Sequence, residues 1–182
     1  EVNIYSGALS QTNIESLLPT VRTCPAPDHY ELEVASSGIA CVGTDVTVRA
    51  CADSTVPCNQ DNSVNTNVTL GTNAGALNAT TLTLSGGTAT TKLKYPAAAD
   101  NATATVTLSG EITAATNARK CCTGSSSCVV ANSCTTTFNT AGFVFSNNPT
   151  TNVNIADGVA GTVNNNVYLR AVKTNSSTGA CT

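Results

Sequence analysis

The sequence predicts an all-β protein. We expect a disulfide-stapled antiparallel immunoglobulin-like β-sandwich, followed by a second β-sandwich that is partial or is completed in trans by another chain. Three observations predict this class: segments that alternate apolar and polar residues, turn residues between them roughly every 10 to 16 positions, and nine cysteines. Hydrophobic residues make up 41% of the chain but aromatic residues only 4%. Cores built mainly from small aliphatic side chains benefit from covalent cross-links.

The composition also excludes some classes of function. Only 10% of residues are charged and the net charge is −3, so there is no basic patch for nucleic acid. No run of about 20 apolar residues occurs, so we expect no membrane insertion. The cysteine content favours an oxidising compartment, and we predict an extracellular or cell-surface location. The chain begins at Glu1 without a signal peptide, as a mature product or a fragment would.

Residues 1–23 are interpreted as an N-terminal arm or linker. Val2 and Ile4 alternate with polar neighbours, which favours a strand, but the segment is too short to stand alone and must dock on something. Residues 24–137 are predicted to form the immunoglobulin-like sandwich, with a cysteine-rich junction at 121–134.

Period-two alternation places the strands of this sandwich. In HYELEV (29–34) the even-numbered side chains are apolar and the odd-numbered ones polar, which predicts one buried and one wet face. The same pattern recurs near 44–52, 64–70, 82–84, 88–95 and 102–109. Six or seven strands between residue 28 and about residue 116 are enough for one immunoglobulin-sized domain.

Residues 138–182 are predicted to begin a second sandwich. Phe143 and Phe145 share a face, and the last long strand covers residues 163–171. Three or four strands are too few to close a sandwich, and an open edge favours pairing with another chain. Either the domain continues in a longer parent protein or another segment completes it.

Four cysteines lie within the stretch CCTGSSSCVVANSC (121–134). Cys121 and Cys122 are adjacent, and because a vicinal disulfide is strained we expect them to reach different partners, with Cys128 and Cys134 nearest. The alternative is a metal site, but C-C-x5-C-x5-C does not match the paired CxxC pattern of zinc folds. No CxxC motif occurs for redox catalysis. We interpret the cluster as a stiff junction that closes the first sandwich and directs the second.

The other cysteines leave several pairings open. A local bridge between Cys51 and Cys58 is expected from their spacing, and Cys41 is expected to reach the 121–134 cluster. Cys24 and Cys181 lie at domain edges and are the best candidates for the odd thiol. The disulfide candidates are therefore Cys24, Cys41, Cys51, Cys58, Cys121, Cys122, Cys128, Cys134 and Cys181.

Catalysis is not predicted. His29, the only histidine, lies on the polar side of its strand and is expected to be exposed there, and no GxSxG motif accompanies it. The acidic residues are scattered and form no catalytic pair. Asp53 and Asp61 share a polar loop that calcium could use, but the EF-hand spacing is absent. We predict no catalytic, cofactor-binding or metal-binding residue.

Three stretches together resemble the MshQ-type proteins, which are associated with mannose-sensitive haemagglutinin pili in Gram-negative bacteria. They are HYELEVASSGIACVGTDVTVRACAD (29–53), TTTFNTAGFVFS (135–146) and AGTVNNNVYLRAVKTNSSTGAC (160–181). The resemblance implies repeated extracellular immunoglobulin-like domains, no known catalytic residues and a further domain after Cys181. It implies structural roles for Tyr30, Cys41, Cys51, Phe143, Phe145 and Cys181.

We therefore expect a non-enzymatic structural or adhesive protein of a bacterial surface appendage. The first alternative is a self-assembling filament subunit, in which residues 1–22 of one copy complete the second sandwich of the next. A carbohydrate-binding module is a weaker alternative, because aromatic side chains for sugar stacking are scarce. The expected partners are copies of the chain, neighbouring domains of a larger surface protein, and a glycan or host surface.

Overall fold

The structure is a computed structural model that describes residues 26–124, 127–150 and 167–182. Within these ranges every regular element is a strand, and no helix is long and apolar enough to cross a membrane. The strands are β1 His29–Val34, β2 Ser37–Ile39, β3 Thr44–Cys51, β4 Thr66–Thr72, β5 Ala76–Leu77, β6 Thr81–Leu84, β7 Thr88–Lys94, β8 Ala102–Ser109, β9 Lys120–Thr123, β10 Cys128–Val130, β11 Ser133–Asn139, β12 Ala141–Ser146 and β13 Tyr168–Lys173.

Two sheets form the sandwich. The six-stranded sheet has the order β10-β9-β1-β3-β7-β5, and the five-stranded sheet has the order β2-β11-β8-β4-β6. Neighbouring strands are antiparallel except for two parallel pairs, β1 with β9 and β2 with β11. The predicted class, an all-β immunoglobulin-like sandwich with several disulfides, is confirmed.

The core lies between the two sheets and is mostly aliphatic. In strands such as β4 and β8 buried and more exposed residues alternate, because successive side chains point to opposite faces. Tyr30 and Phe138 are the largest fully buried side chains, and the ring of Tyr95 meets Phe138 edge-on with centroids 6.0 Å apart. Full burial of a large apolar side chain stabilises a fold by about 1.5–3 kcal/mol.

The turn between β6 and β7 requires glycine. Gly87 has a φ of 82°, and a Cβ at this position would lie 2.2 Å from the carbonyl oxygen of Asp61. Any side chain there would collide with backbone, and its conformation would be strained. The Gly86-Gly87 pair that marks a turn in the sequence is therefore needed for the β6–β7 hairpin and for the close approach of the 53–63 loop.

The segment after residue 118 completes the sandwich. β9 pairs with β1, β10 pairs with β9, and β11 lies between β2 and β8. Phe138 of β11 is fully buried, so the sandwich extends to Asn139. The predicted arm 1–23 lies outside the described residues, as does part of 138–182, so the predicted domain boundaries stay a prediction.

A two-stranded sheet follows the sandwich. Residues of β12 and β13 pair from Ala141↔Lys173 to Ser146↔Tyr168. An isolated hairpin of this size is marginally stable in water. Thr174 connects the β12–β13 sheet to one end of the sandwich through two hydrogen bonds. Its amide donates to Thr140 O at 2.7 Å, and its hydroxyl accepts from the amide of Cys41 at 3.1 Å.

Candidate functional site

The cysteine cluster lies inside the sandwich. In β9 the side chain of Cys121 points into the core and that of Cys122 points to the outer face, because neighbouring strand residues alternate. Cys121 bonds to Cys134 of β11 and thereby joins the two sheets, whereas Cys122 bonds to Cys128 of the adjacent strand β10. The two adjacent cysteines reach different partners, and both partners are those expected from the spacing.

The structure also joins Cys51 to Cys58, the local pair that the spacing favours. The expectation that Cys41 reaches the 121–134 cluster is wrong, because Cys41 bonds to Cys181, 140 positions away. Cys41 lies in the turn between β2 and β3, at the end of the sandwich where the β12–β13 sheet leaves. Cys181 is consequently not the odd thiol, and Cys24 lies outside the described residues.

A charged cluster lies under two of these disulfides on the outer side of the six-stranded sheet. The sulfur atoms of Cys51 and Cys58 lie within 4.8 Å of ligand atoms of His29 and Glu31. The second disulfide lies beside Glu31 as well, with Cys128 Sγ 3.8 Å from Glu31 Oε1. The disulfides therefore cover a sheet face that would otherwise be in water.

The prediction that the polar face of β1 is exposed to solvent is wrong, because the disulfides cover it. His29 and Glu31 are buried, with at most 1% of their surface exposed. His29 Nδ1 lies 2.7 Å from Asp28 Oδ1, and its Nε2 lies 3.4 Å from Glu31 Oε1. The hydrogen bond with His29 lowers the pKa of Asp28 below its ordinary value.

The charge of Glu31 is compensated by Arg49. The guanidinium of Arg49 donates to Glu31 Oε2 at 3.2 Å and to Glu33 Oε2 at 3.3 Å. Because a buried carboxylate needs a partner, this pairing makes the cluster a structural unit. Metal ions bind cysteine as the thiolate, and the sulfur atoms beside this cluster are in disulfides instead. The imidazole of His29 is likewise buried, and each of its nitrogens faces a carboxylate oxygen.

The acidic side chains of the 53–63 loop accept hydrogen bonds from other residues of the same loop. Asp53 accepts hydrogen bonds from Thr55 and Asn59, and Asp61 accepts from the amide and hydroxyl of Ser63. The hydrogen bonds from Thr55 and Asn59 hold the pKa of Asp53 well below its usual range. These carboxylates thus cap turns within the loop.

The β12–β13 sheet presents an exposed apolar face. Phe143 and Phe145 share this face, as predicted, and are 71% and 67% exposed. Register places Ala171 opposite Phe143 and Leu169 opposite Phe145, and Leu169 is 62% exposed. We call these four residues the phenylalanine face. Exposed contiguous apolar surface of this kind is typical of an interaction site.

The phenylalanine face continues into a groove beside Thr182. The groove has a volume of about 470 Å³ and is lined by Phe143, Ala171, Lys173 and Thr182, among others. Thr182 is held there because its amide donates to Lys173 O at 2.9 Å and its carbonyl oxygen accepts from the amide of Lys173 at 2.8 Å. Among the described strands, β12 and β13 pair only with each other. The opposite face of their sheet is partly covered, since Val172 is only 3% exposed, whereas the phenylalanine face is exposed.

Comparison with known families divides the chain near residue 117. Residues 28–116 match the model of a domain of unknown function, DUF8613. Residues 118–182 match the model described as domain of unknown function DUF6701, first Ig-like domain. No curated protein and no solved structure matches the chain. The second match supports a relationship to an Ig-like family, in agreement with the sandwich and its disulfides.

Proposed function

We propose that this chain is a non-enzymatic, extracellular structural or adhesive protein of a bacterial surface appendage, as the resemblance to MshQ-type proteins implies. The phenylalanine face is the observation on which the proposal depends. It presents large apolar side chains on a sheet tied covalently to a stapled Ig-like sandwich. The four disulfides favour an oxidising location outside the cell. The buried, paired state of His29 and Glu31 supports a structural role over catalysis.

The proposal predicts that the phenylalanine face contacts a neighbouring domain, another copy or a surface. We would compare the full chain with F143S/F145S in adhesion to host cells and in cross-linking on intact bacteria. The matched control is V129S/V130S, since these side chains of edge strand β10 are 61% and 72% exposed. Loss of contact only in F143S/F145S would support the proposal. Equal behaviour of both variants, or absence of the chain from the cell surface in protease shaving, would contradict it.

A filament subunit is the second candidate. The observation in its favour is that β12 and β13 have no other strand partner among the described residues. Two strands with an apolar face can accept a further strand through main-chain hydrogen bonds and side-chain contacts. In this proposal residues 1–22 of one copy supply that strand to the next.

Deletion of residues 1–22 separates the two candidates. Strand donation requires that the truncated chain stays monomeric in light scattering and that an added peptide of residues 1–22 binds to it. The F143S/F145S variant should then fail to bind the peptide, whereas V129S/V130S should bind it normally. Unchanged assembly after the deletion would rule out strand donation and leave the first proposal in place.

A further inference from the structure

We propose that the outer face of the five-stranded sheet is an ice-binding surface. Four strands of that sheet place a set of threonines on the side away from the core. We call it the threonine face: Thr69 of β4, Thr81 and Thr83 of β6, Thr103, Thr105 and Thr107 of β8, and Thr135 and Thr137 of β11. Their neighbours along each strand, such as Val68, Leu82, Val106 and Cys134, are buried, which fixes the orientation of the face.

The threonine face differs sharply in charge from the opposite side of the sandwich. The outward strand residues that accompany the threonines are Asn67, Gly71, Ser109, Ser133, Ser37, Ile39 and Asn139, and none of these described residues is charged. The outer side of the six-stranded sheet carries Glu31, Glu33, Asp45, Arg49, Lys92, Lys94 and Lys120. Absence of charge is therefore a property of one face and not of the whole molecule.

Register sets the threonines in rows. Thr69 lies opposite both Thr81 and Ser109, Thr107 lies opposite Ser133, and Thr105 lies opposite Thr135. Adjacent strands are about 4.8 Å apart, and alternate residues of one strand are about 6.8 Å apart. The backbone positions of the threonines thus form a two-dimensional array with these two spacings, and the paired hydroxyls of Thr105 and Thr135 approach more closely than their strands do. Both spacings are close to repeat distances between oxygen atoms on faces of the ice lattice.

The chemistry of threonine suits ordered water. Its branched Cβ restricts χ1, so each hydroxyl has few positions available before any ligand arrives. The hydroxyl can donate one hydrogen bond and accept two, and the methyl group beside it adds apolar surface to the face. Thr105 Oγ1 and Thr135 Oγ1 lie 3.1 Å apart, which orders the two groups further. A charged side chain would instead keep its own hydration shell and disturb the array.

Other ligands fit the threonine face less well. A flat polysaccharide surface is usually recognised by aromatic stacking, and the described residues of the face include no aromatic side chain. A protein partner of ordinary stability needs a desolvated apolar or aromatic centre, which hydroxyl rows do not provide. An extended array of identical small polar groups matches a ligand that is itself a periodic array.

The test uses the full chain and a matched pair of double variants. T105K/T135K breaks the threonine face at its centre. T47K/T90K breaks a pair with almost the same geometry on the charged face, where the two Oγ1 atoms lie 3.0 Å apart. Each protein is labelled and frozen slowly, and the fraction taken into the ice is measured. We expect wild type and T47K/T90K to be enriched by about tenfold over T105K/T135K.

Folding is checked by circular dichroism. If T105K/T135K does not fold, Thr69→Lys on strand β4 replaces it with the same expectation, because Thr69 is exposed. Exclusion of wild type from ice, or equal uptake of the two double variants, would overturn the proposal. Retention on crystalline chitin or cellulose without uptake into ice would also overturn it, in favour of a polysaccharide ligand. The inference is independent of the proposed function, since neither adhesion through the phenylalanine face nor strand donation involves these threonines.

Discussion

The phenol of Tyr30 donates a hydrogen bond to the carbonyl oxygen of Thr113, at 2.8 Å across 83 positions of sequence. This bond connects β1 to the loop that closes one end of the sandwich. Burial, with a smaller effect of the nearby carboxylate of Glu111, raises the pKa of Tyr30 to about 12. In the unfolded chain the same phenol ionises near pH 10.

The raised pKa predicts a loss of stability in alkali. Between about pH 10 and 12 the unfolded state releases the phenol proton and the folded state keeps it, so the free energy of unfolding falls as pH rises. Urea titrations of wild type should show this slope, and Tyr30→Phe should flatten it. Tyr168→Phe, which changes a more exposed phenol, should leave the slope intact. An equal slope in wild type and Tyr30→Phe would refute the assignment.

The two bridges of the cysteine cluster should differ in their contribution to stability. Cys121–Cys134 closes a 13-residue separation and joins the sheets through the core, so C121A/C134A should cost about 3 kcal/mol in unfolding free energy. Cys122–Cys128 closes only 6 residues between neighbouring strands, and C122A/C128A should cost less. Chemical denaturation measures both unfolding free energies. A larger loss in C122A/C128A would show that the Cys122–Cys128 bridge contributes more to stability.

Thr136 offers a stabilising change. Its side chain is 1% exposed in the core, and its hydroxyl has no hydrogen-bond partner among the described residues. Thr136→Val keeps the shape and removes a buried unpaired hydroxyl, so the free energy of unfolding should rise by about 1 kcal/mol. Thr135→Val, on the exposed side of the same strand, is the control and should change little. Destabilisation by Thr136→Val would reveal a buried water or another partner for the hydroxyl.

The Cys41–Cys181 bridge should hold the β12–β13 sheet to the sandwich. In C41S/C181S we expect the hairpin to detach while the sandwich remains folded, because its core and other disulfides are unchanged. Limited proteolysis should then cut near residues 140–150 much faster than in wild type. C51S/C58S, which removes a local bridge elsewhere, should not expose this region. Equal cleavage of wild type and C41S/C181S would show that hydrogen bonds such as Cys41 N to Thr174 Oγ1 suffice.

The strand pattern of the sandwich was largely predictable from sequence. Alternation in 29–34, 44–52 and 102–109 reflects burial on one face of a strand, a local property of each segment. The short strands β2, β5, β9 and β10 have two to four residues, too few to show a period. Their position depends on the strands beside them.

The environment of the polar residues was not predictable in the same way. Alternation assigns His29 and Glu31 to the outer face correctly, but it does not show that two disulfides lie over that face. The pairing of Cys41 with Cys181 depends on the path of the whole chain, and no local spacing indicates it. Phe143 and Phe145 share a face as predicted, whereas their exposure depends on which other elements cover them.

The disulfide between Cys41 and Cys181 also determines how the chain responds to mechanical tension. When the chain before Cys41 and the chain after Cys181 are pulled apart, the force passes directly across this disulfide. The intervening 140-position loop lies outside the load path and cannot be drawn out, which withholds roughly 480 Å of extended chain at about 3.4 Å per residue. Almost the entire sandwich is thereby protected from stretching, and only the first strands of the fold bear the force.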